Sequence, residues 1–371
     1  MIYLDHAATT PPDASVIRAM EQCMLGTWQN PSAAYAAAGG ARRELRLARL
    51  ALAAMLNAEP QSVVFTSGGT EGNNLAMALA QGGHAIVSAI EHPSVLRAAA
   101  LRCREITLVS PNASGQIQPE AVECALKPDT RLISVMLANN ETGAIQPVAE
   151  IGALARERRI PLHCDTVQAF GHIPVDVKAL NVDLLTLSGH KLYGPRGVGA
   201  LWVRQGLALP PLLGGGGQEF GLRPGTENLP AICGLRVAAE LAAADMVPRA
   251  AREAAMLRAF EGELKRRVPE CRILAEDAPR LPGVAAVLLP GLTSEQAIAK
   301  LDLLGIQVSG GAACASREQG VSHVYRAMGL AESEAACVLR VSIGRATAPE
   351  ELQKAAEAIE RVWRERDNRI V

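Results

Sequence analysis

The chain reads as an α/β protein whose mainly parallel sheet is covered by helices. Three observations predict this. Apolar runs of strand length recur and end in turn or polar residues. Ala- and Leu-rich stretches with helical spacing lie between those runs, and alternating strands and helices imply parallel pairing through crossovers. Finally, 49% hydrophobic against 20% charged residues can bury a core and argues against disorder. At 371 residues the chain suits two or three domains of roughly 100–200 residues each.

Strands are expected at Val63-Val64-Phe65, Ala85-Ile86-Val87, 132–137, 160–164 and 184–187, with helices over 74–80 and 148–158. Ligands of such sheets bind beyond the carboxyl ends of the strands, so the polar residues directly after each apolar run are the candidates for chemistry. From about Asp245 the texture becomes charged and helical (Arg252, Glu253, Arg258, Glu261, Lys265), which reads as a solvated helix leaving the first domain. A second domain is expected beyond it. Its parts are a strand over 283–289, a helix over 294–304, a small-residue loop over 309–316, a strand over 338–343 and an amphipathic helix over 349–366.

Composition narrows the function. Lys plus Arg is 37 and Asp plus Glu is 38, so a net charge of −1 leaves no positive field to gather nucleic acid or anionic lipid. Aromatic residues are only 3%, too few for base-stacking platforms. No run approaches the roughly 20 apolar residues that span a bilayer, and the start lacks a basic region leading into an apolar one. The expectation is a cytoplasmic protein with neither nucleic-acid nor membrane partners. Eight cysteines are scattered without a C-x-x-C pair or zinc spacing, so no metal site is expected, and most read as reduced, buried small hydrophobes.

Several strand ends carry chemistry. Thr66-Ser67-Gly68-Gly69-Thr70-Glu71 follows a strand and opens a helix, so its backbone N–H groups and the Thr70 hydroxyl can hold a phosphate; a plain helix cap with turn glycines is an equal alternative. Ser188-Gly189-His190-Lys191 places a lysine at a strand end, where it can form a Schiff base, although a single loop lysine is usually only exposed. Asp165 can pair with a protonated pyridine nitrogen, with Gln168 within reach of a ring hydroxyl; a helix N-cap is the competing account. His92, in Glu91-His92-Pro93, can stack on a planar ring or simply be a satisfied surface histidine. Cys314 lies among Gly310, Gly311, Ala312 and Ala313, where packing and reactivity are equally plausible for a thiol. Taken together, a phosphate cradle, a stacking histidine, a pyridine-pairing aspartate and a Schiff-base lysine at successive strand ends are the parts of a pyridoxal 5'-phosphate site.

On these motifs the sequence resembles the cysteine desulfurases, fold-type I pyridoxal phosphate enzymes of the class V aminotransferase group. The matching stretches are Tyr3-Leu4-Asp5-His6-Ala7-Ala8-Thr9-Thr10-Pro11, Asn30-Pro31-Ser32, Thr66 to Asn74, Glu91-His92-Pro93 and Asn139-Asn140-Glu141-Thr142-Gly143. They continue through His163 to Gln168, Val182 to Gly199, the glycine run with Gln218-Glu219, Gly225-Thr226-Glu227-Asn228, Ser309 to Ser316 and Arg340 to Arg345. The short cysteine loop is similar to that of desulfurases serving iron–sulfur cluster assembly.

The resemblance implies a large cofactor-binding domain over 13–247, with mainly parallel sheet, and a smaller α+β domain made of 1–12 and 248–371. It implies Lys191 as the Schiff-base lysine, Asp165 at the ring nitrogen, Gln168 and Asn140 near the ring hydroxyl and His92 over the ring face. Gly69, Thr70, Ser188 and His190 would hold the phosphate, joined by Thr226 from a second subunit, so a homodimer is implied. Arg340, with Asn140, would take the substrate, and its forked guanidinium suits a carboxylate. Cys314 would accept sulfur from L-cysteine as a persulfide, release L-alanine and pass the sulfur to an acceptor protein for iron–sulfur or thio-cofactor assembly.

Three positions depart from the family pattern: Tyr35 for a common histidine, Pro224 for a frequent serine, and Arg317-Glu318-Gln319-Gly320-Val321 after the nucleophile. None removes a chemical group from the mechanism. Same-fold rivals are a selenocysteine lyase or another class V enzyme. A non-catalytic scaffold is opposed by Lys191, Asp165, His92 and Cys314 together, a set that a scaffold has no physical need to keep.

Overall fold

A computed structural model describes residues 1–311 and 321–366. Strand β1 (Ile2–Tyr3) lies away from the central sheet, which is built from β2 (Val63–Thr66), β3 (His84–Ser88), β4 (Glu105–Val109), β5 (Thr130–Ser134), β6 (Leu162–Asp165), β7 (Leu184–Ser188) and β8 (Gly199–Val203). The order across this sheet is β2-β8-β7-β6-β5-β3-β4. Pairing is parallel from β4 to β7, whereas β8 runs antiparallel to both β7 and β2. The predicted mainly parallel α/β sheet is therefore present, with β4 and β8 added to the strands expected. β4 escaped notice because at the sheet edge only Val109 of its five residues is buried, and Glu105 and Thr107 break up the apolar pattern.

The run expected as a strand over 132–137 is assigned as strand only to Ser134. Its pairing with the neighbouring strand nonetheless continues, for Val135 N–H donates to the His163 carbonyl at 3.1 Å and Leu137 N–H to that of Asp165 at 2.9 Å. Fully buried strands such as β3, β6 and β7 carry few charges because helices cover both faces. His163, in the middle of β6, is held between the Ser134 hydroxyl (2.9 Å) and the Thr186 hydroxyl (3.0 Å). Burial lowers its pKa to about 3, so it is a neutral polar rung of the sheet.

The solvated helix expected from about Asp245 is the second half of a 39-residue helix, Leu229–Arg267, capped by the Asn228 side chain and containing Pro248. Its first half packs Ile232, Leu235, Ala238 and Ala242 on the core of the large sheet. Its second half packs Leu257, Phe260 and Leu264 on a separate core. The shift in texture at Asp245 thus marks a change of what the helix covers, not a break.

The second core lies against a three-stranded antiparallel sheet of β9 (Arg272–Leu274), β10 (Val284–Leu288) and, beyond the short β11 (Ile306–Gln307), β12 (Val338–Ser342), in the order β12-β10-β9. β11 pairs parallel with β1, which brings the N-terminal segment here, and Leu4 is fully buried in this core. The closing helix Pro349–Arg364 buries Leu352, Ala355, Ala356, Ile359, Val362 and Trp363 along one face. No helix among the described residues is long and apolar enough to cross a membrane.

Candidate active site

Strand ends β2, β6 and β7 meet at one cavity of about 210 Å³, closed on the far side by the N-terminal segment and β12. Its lining includes Gly69, Thr70, His92, Asn140, Asp165, Gln168, Ser188, His190, Lys191 and Arg340. Ten separately nominated residues from six stretches of sequence therefore share one space. Thr226 does not line it: within one subunit it is exposed on the segment before the long helix. Cys314 lies outside the described residues. The adjoining Ser309 exchanges backbone hydrogen bonds with Arg340, at 2.7 and 3.2 Å.

The turn after β2 requires glycine. Gly68 has φ +147°, and a Cβ on Gly69 would come within 2.8 Å of the Val167 side chain, so the backbone of the helix Gly69–Met77 can start against the strand end only without side chains. Glu71 secures this turn by accepting from the Ser67 N–H at 2.7 Å and from Arg223 Nε at 3.1 Å. Burial works against its ionisation, but these donors prevail and its pKa lies below the usual carboxylate range. At the end of β7, Gly189–Lys191 form a single helical turn. His190 bonds Thr9 Oγ1 through Nδ1 at 3.1 Å, and burial first, then the neighbouring Lys191, depresses its pKa to about 4, leaving a neutral donor or acceptor near pH 7. Lys191 Nζ donates to the carbonyls of Ala7 at 2.5 Å and Ala8 at 2.7 Å.

Asp165 ends β6 and is 6% exposed. One carboxylate oxygen accepts from the Val167 N–H at 2.9 Å and the other from the Asn73 amide at 2.7 Å. Gln168 donates to the Ala7 carbonyl at 2.9 Å. Arg340, in β12, is 1% exposed; it donates to Asp5 at 2.7 Å and to the Asn140 carbonyl at 2.9 Å, while its Nε has no partner among the described residues. A buried guanidinium with a donor to spare is suited to a second carboxylate.

These residues fit pyridoxal phosphate. The cavity offers a side-chain-free helix start with hydroxyl and imidazole donors for a phosphate, a buried carboxylate for a pyridinium, and an amine within the same walls. Three groups beside these had no role in the sequence reading: Asn73, Ser94 and Asp5. Asn73 and Ser94 line the cavity, and both are buried. Their signal was spacing, Asn73 one helical turn beyond Gly69 and Ser94 two residues beyond His92.

Residues 2–355 match the family model of the class-V aminotransferases. The chain belongs to this family. It is 40% identical to the cysteine desulfurase IscS of Methanosarcina thermophila over 96% of this chain and 91% of that protein. Its fold is similar to that of a NifS-like protein from Rickettsia africae, with a TM-score of 0.91, 33% identity and coverage of 98% and 99% of the two chains. A structure described as SspA in complex with cysteine gives a TM-score of 0.81 at 36% identity, covering 92% of this chain and 99% of that one. Within the class-V family the chain is thus a member of the cysteine desulfurases, as its motifs led one to expect.

Proposed function

We propose that this protein is a pyridoxal phosphate-dependent cysteine desulfurase acting on L-cysteine. The observation that carries the proposal is the convergence of Lys191, Asp165, His92 and Arg340 on one cavity. In this reading Gly69, Thr70, Ser188 and His190 hold the cofactor phosphate, Asp165 the ring nitrogen, Gln168 and Asn140 the ring hydroxyl, and His92 covers the ring face. Bound there, the cofactor supplies an electron sink for bonds at the substrate Cα.

The residues of the chain do the rest. Arg340 would grip the substrate carboxylate through its fork and so fix how the substrate Cα is oriented in the cavity. Lys191 would supply the amine that takes the Cα proton, and Asp165 would keep the ring nitrogen protonated. Cys314 attacks the substrate sulfur as thiolate. The C–S bond breaks, an S–S bond forms, and the former Cβ gains a proton, so L-cysteine and the Cys314 thiol become L-alanine and a Cys314 persulfide.

The same reading makes the protein a homodimer in which Thr226 completes the partner's phosphate site, divides the chain into 13–247 and 1–12 with 248–371, places it in the cytoplasm and gives it an acceptor protein for iron–sulfur or thio-cofactor assembly. The deciding experiment supplies the purified, cofactor-loaded protein with L-cysteine and a thiol and measures alanine and sulfide. Equimolar release supports the reading, and absence of both overturns it. Sedimentation tests the dimer, and a fully active monomer would rule it out.

A further inference from the structure

Two side chains, Asn73 and Ser94, tie Asp165, assigned to the ring nitrogen, to His92, assigned to the ring face. Asn73 uses both amide hydrogens: one goes to Asp165 Oδ2 at 2.7 Å, the other to Ser94 Oγ at 2.9 Å. A carboxylate can only accept, so the amide must point its nitrogen at Asp165, and its own oxygen is left buried without a partner among the described residues. Ser94 Oγ, having accepted from Asn73, has its hydrogen free for His92 Nδ1, 2.7 Å away. The Ser94 backbone N–H also donates to that nitrogen at 3.1 Å, because His92 is the N-cap of the helix Pro93–Arg102. A backbone N–H can never accept. His92 Nδ1 is therefore unprotonated, and in the neutral ring the proton is on Nε2.

We infer that Ser94 and Asn73 are positioning residues that lock His92 in its Nε2–H tautomer and in register with Asp165. This rests on the cofactor-covering role given to His92 above and deepens it. With its only basic nitrogen spent on the helix start, His92 acts toward the cavity as a neutral hydrogen-bond donor through Nε2–H and not as a base, and proton removal falls to Lys191. The groups around it are Glu91, Asp165, Lys191, His190 and His323. Burial favours the neutral ring, Asp165 opposes, and Lys191 and His323 add to burial; the net shift is downward.

The test is nitrogen NMR of protein labelled with ¹⁵N-histidine, with and without cofactor, the His92 signals being identified by their loss in His92→Gln. Wild type should show an unprotonated Nδ1 and a protonated Nε2 near neutral pH. Removing the hydroxyl in Ser94→Ala should raise the protonation midpoint of His92 by about one unit, a roughly tenfold change in that equilibrium. The acidic limb of kcat should move up with it while KM changes little, and Ser94→Thr should restore both. A protonated Nδ1 in wild type, or a Ser94→Ala protein matching wild type in spectrum and pH profile, overturns the inference. If wild type makes no alanine from L-cysteine, the functional reading falls, whereas the tautomer is judged by the spectra alone.

Discussion

Arg340 Nη2 lies 2.7 Å from Asp5 Oδ1, an ion pair between residues 335 positions apart. The guanidinium assigned to the substrate carboxylate is thus already aligned by a carboxylate of the chain itself, with the Asn140 carbonyl fixing its other arm. Arg340→Lys keeps the charge and loses the fork, so KM for L-cysteine should rise about tenfold or more with a smaller change in kcat. Asp5→Asn should lower stability by about 1–3 kcal/mol, since a buried guanidinium loses its charged acceptor. Steady-state kinetics and thermal unfolding check the pair, and an unchanged KM in Arg340→Lys would remove Arg340 from the substrate site.

Cofactor-loaded wild type should be yellow, and Lys191→Ala should lose the visible band characteristic of the lysine-linked cofactor. Absorbance after reconstitution and desalting measures this. A wild type that stays colourless with added pyridoxal phosphate would contradict the site.

Asp165→Asn should keep the cofactor yet lose most turnover, because a neutral amide cannot hold the ring nitrogen protonated. It also deprives the Asn73 amide of its charged acceptor. Near-normal activity would show that Asp165 only caps the turn at Val167.

Cys314→Ser should bind cofactor and L-cysteine and release neither sulfide nor stoichiometric alanine. Mass spectrometry of wild type after one turnover should find an added sulfur on Cys314. A persulfide mapped elsewhere would assign the chemistry to another cysteine.

Stability should fall with acid from neutral pH downward. His163, His190 and His172 are pushed to about 3, 4 and 4 by burial, from a value of 6.5 expected in the unfolded chain. Between those limits the unfolded state binds more protons, so stability rises with pH there and is lost as pH falls from about 6.5 toward 4. His163→Gln, which keeps a polar partner between Ser134 and Thr186, should flatten part of this dependence in denaturant titrations across that range.

What could be read beforehand followed local rules. The ends of β2, β6 and β7 announced themselves because an apolar run stopped at Thr66, Asp165 and Ser188, and these ends with the residues just beyond them make up about half of the cavity wall. Asn73, Ser94 and Asp5 were given no role because spacing alone does not show their tertiary partners: Asn73 reaches Asp165 across 92 positions and Ser94 across 21, and Asp5 reaches Arg340 across 335. β8 was hidden for a different reason. Its antiparallel pairing with β7 and β2 is a tertiary choice, allowed where Gly199 lets its backbone come close to Gly68, and no periodicity of five buried residues encodes it.

The helix Leu229–Arg267 makes the molecule hard to divide. Each half of it is covered by a different core, and a bare half-helix in water has little stability of its own. Melting either core strips one end of the rod and exposes apolar rungs that the other core cannot cover. Pro248 removes one backbone rung where the two supports meet. The two cores should therefore melt together in calorimetry, and fragments cut at this proline should stay unfolded apart and regain structure only when mixed.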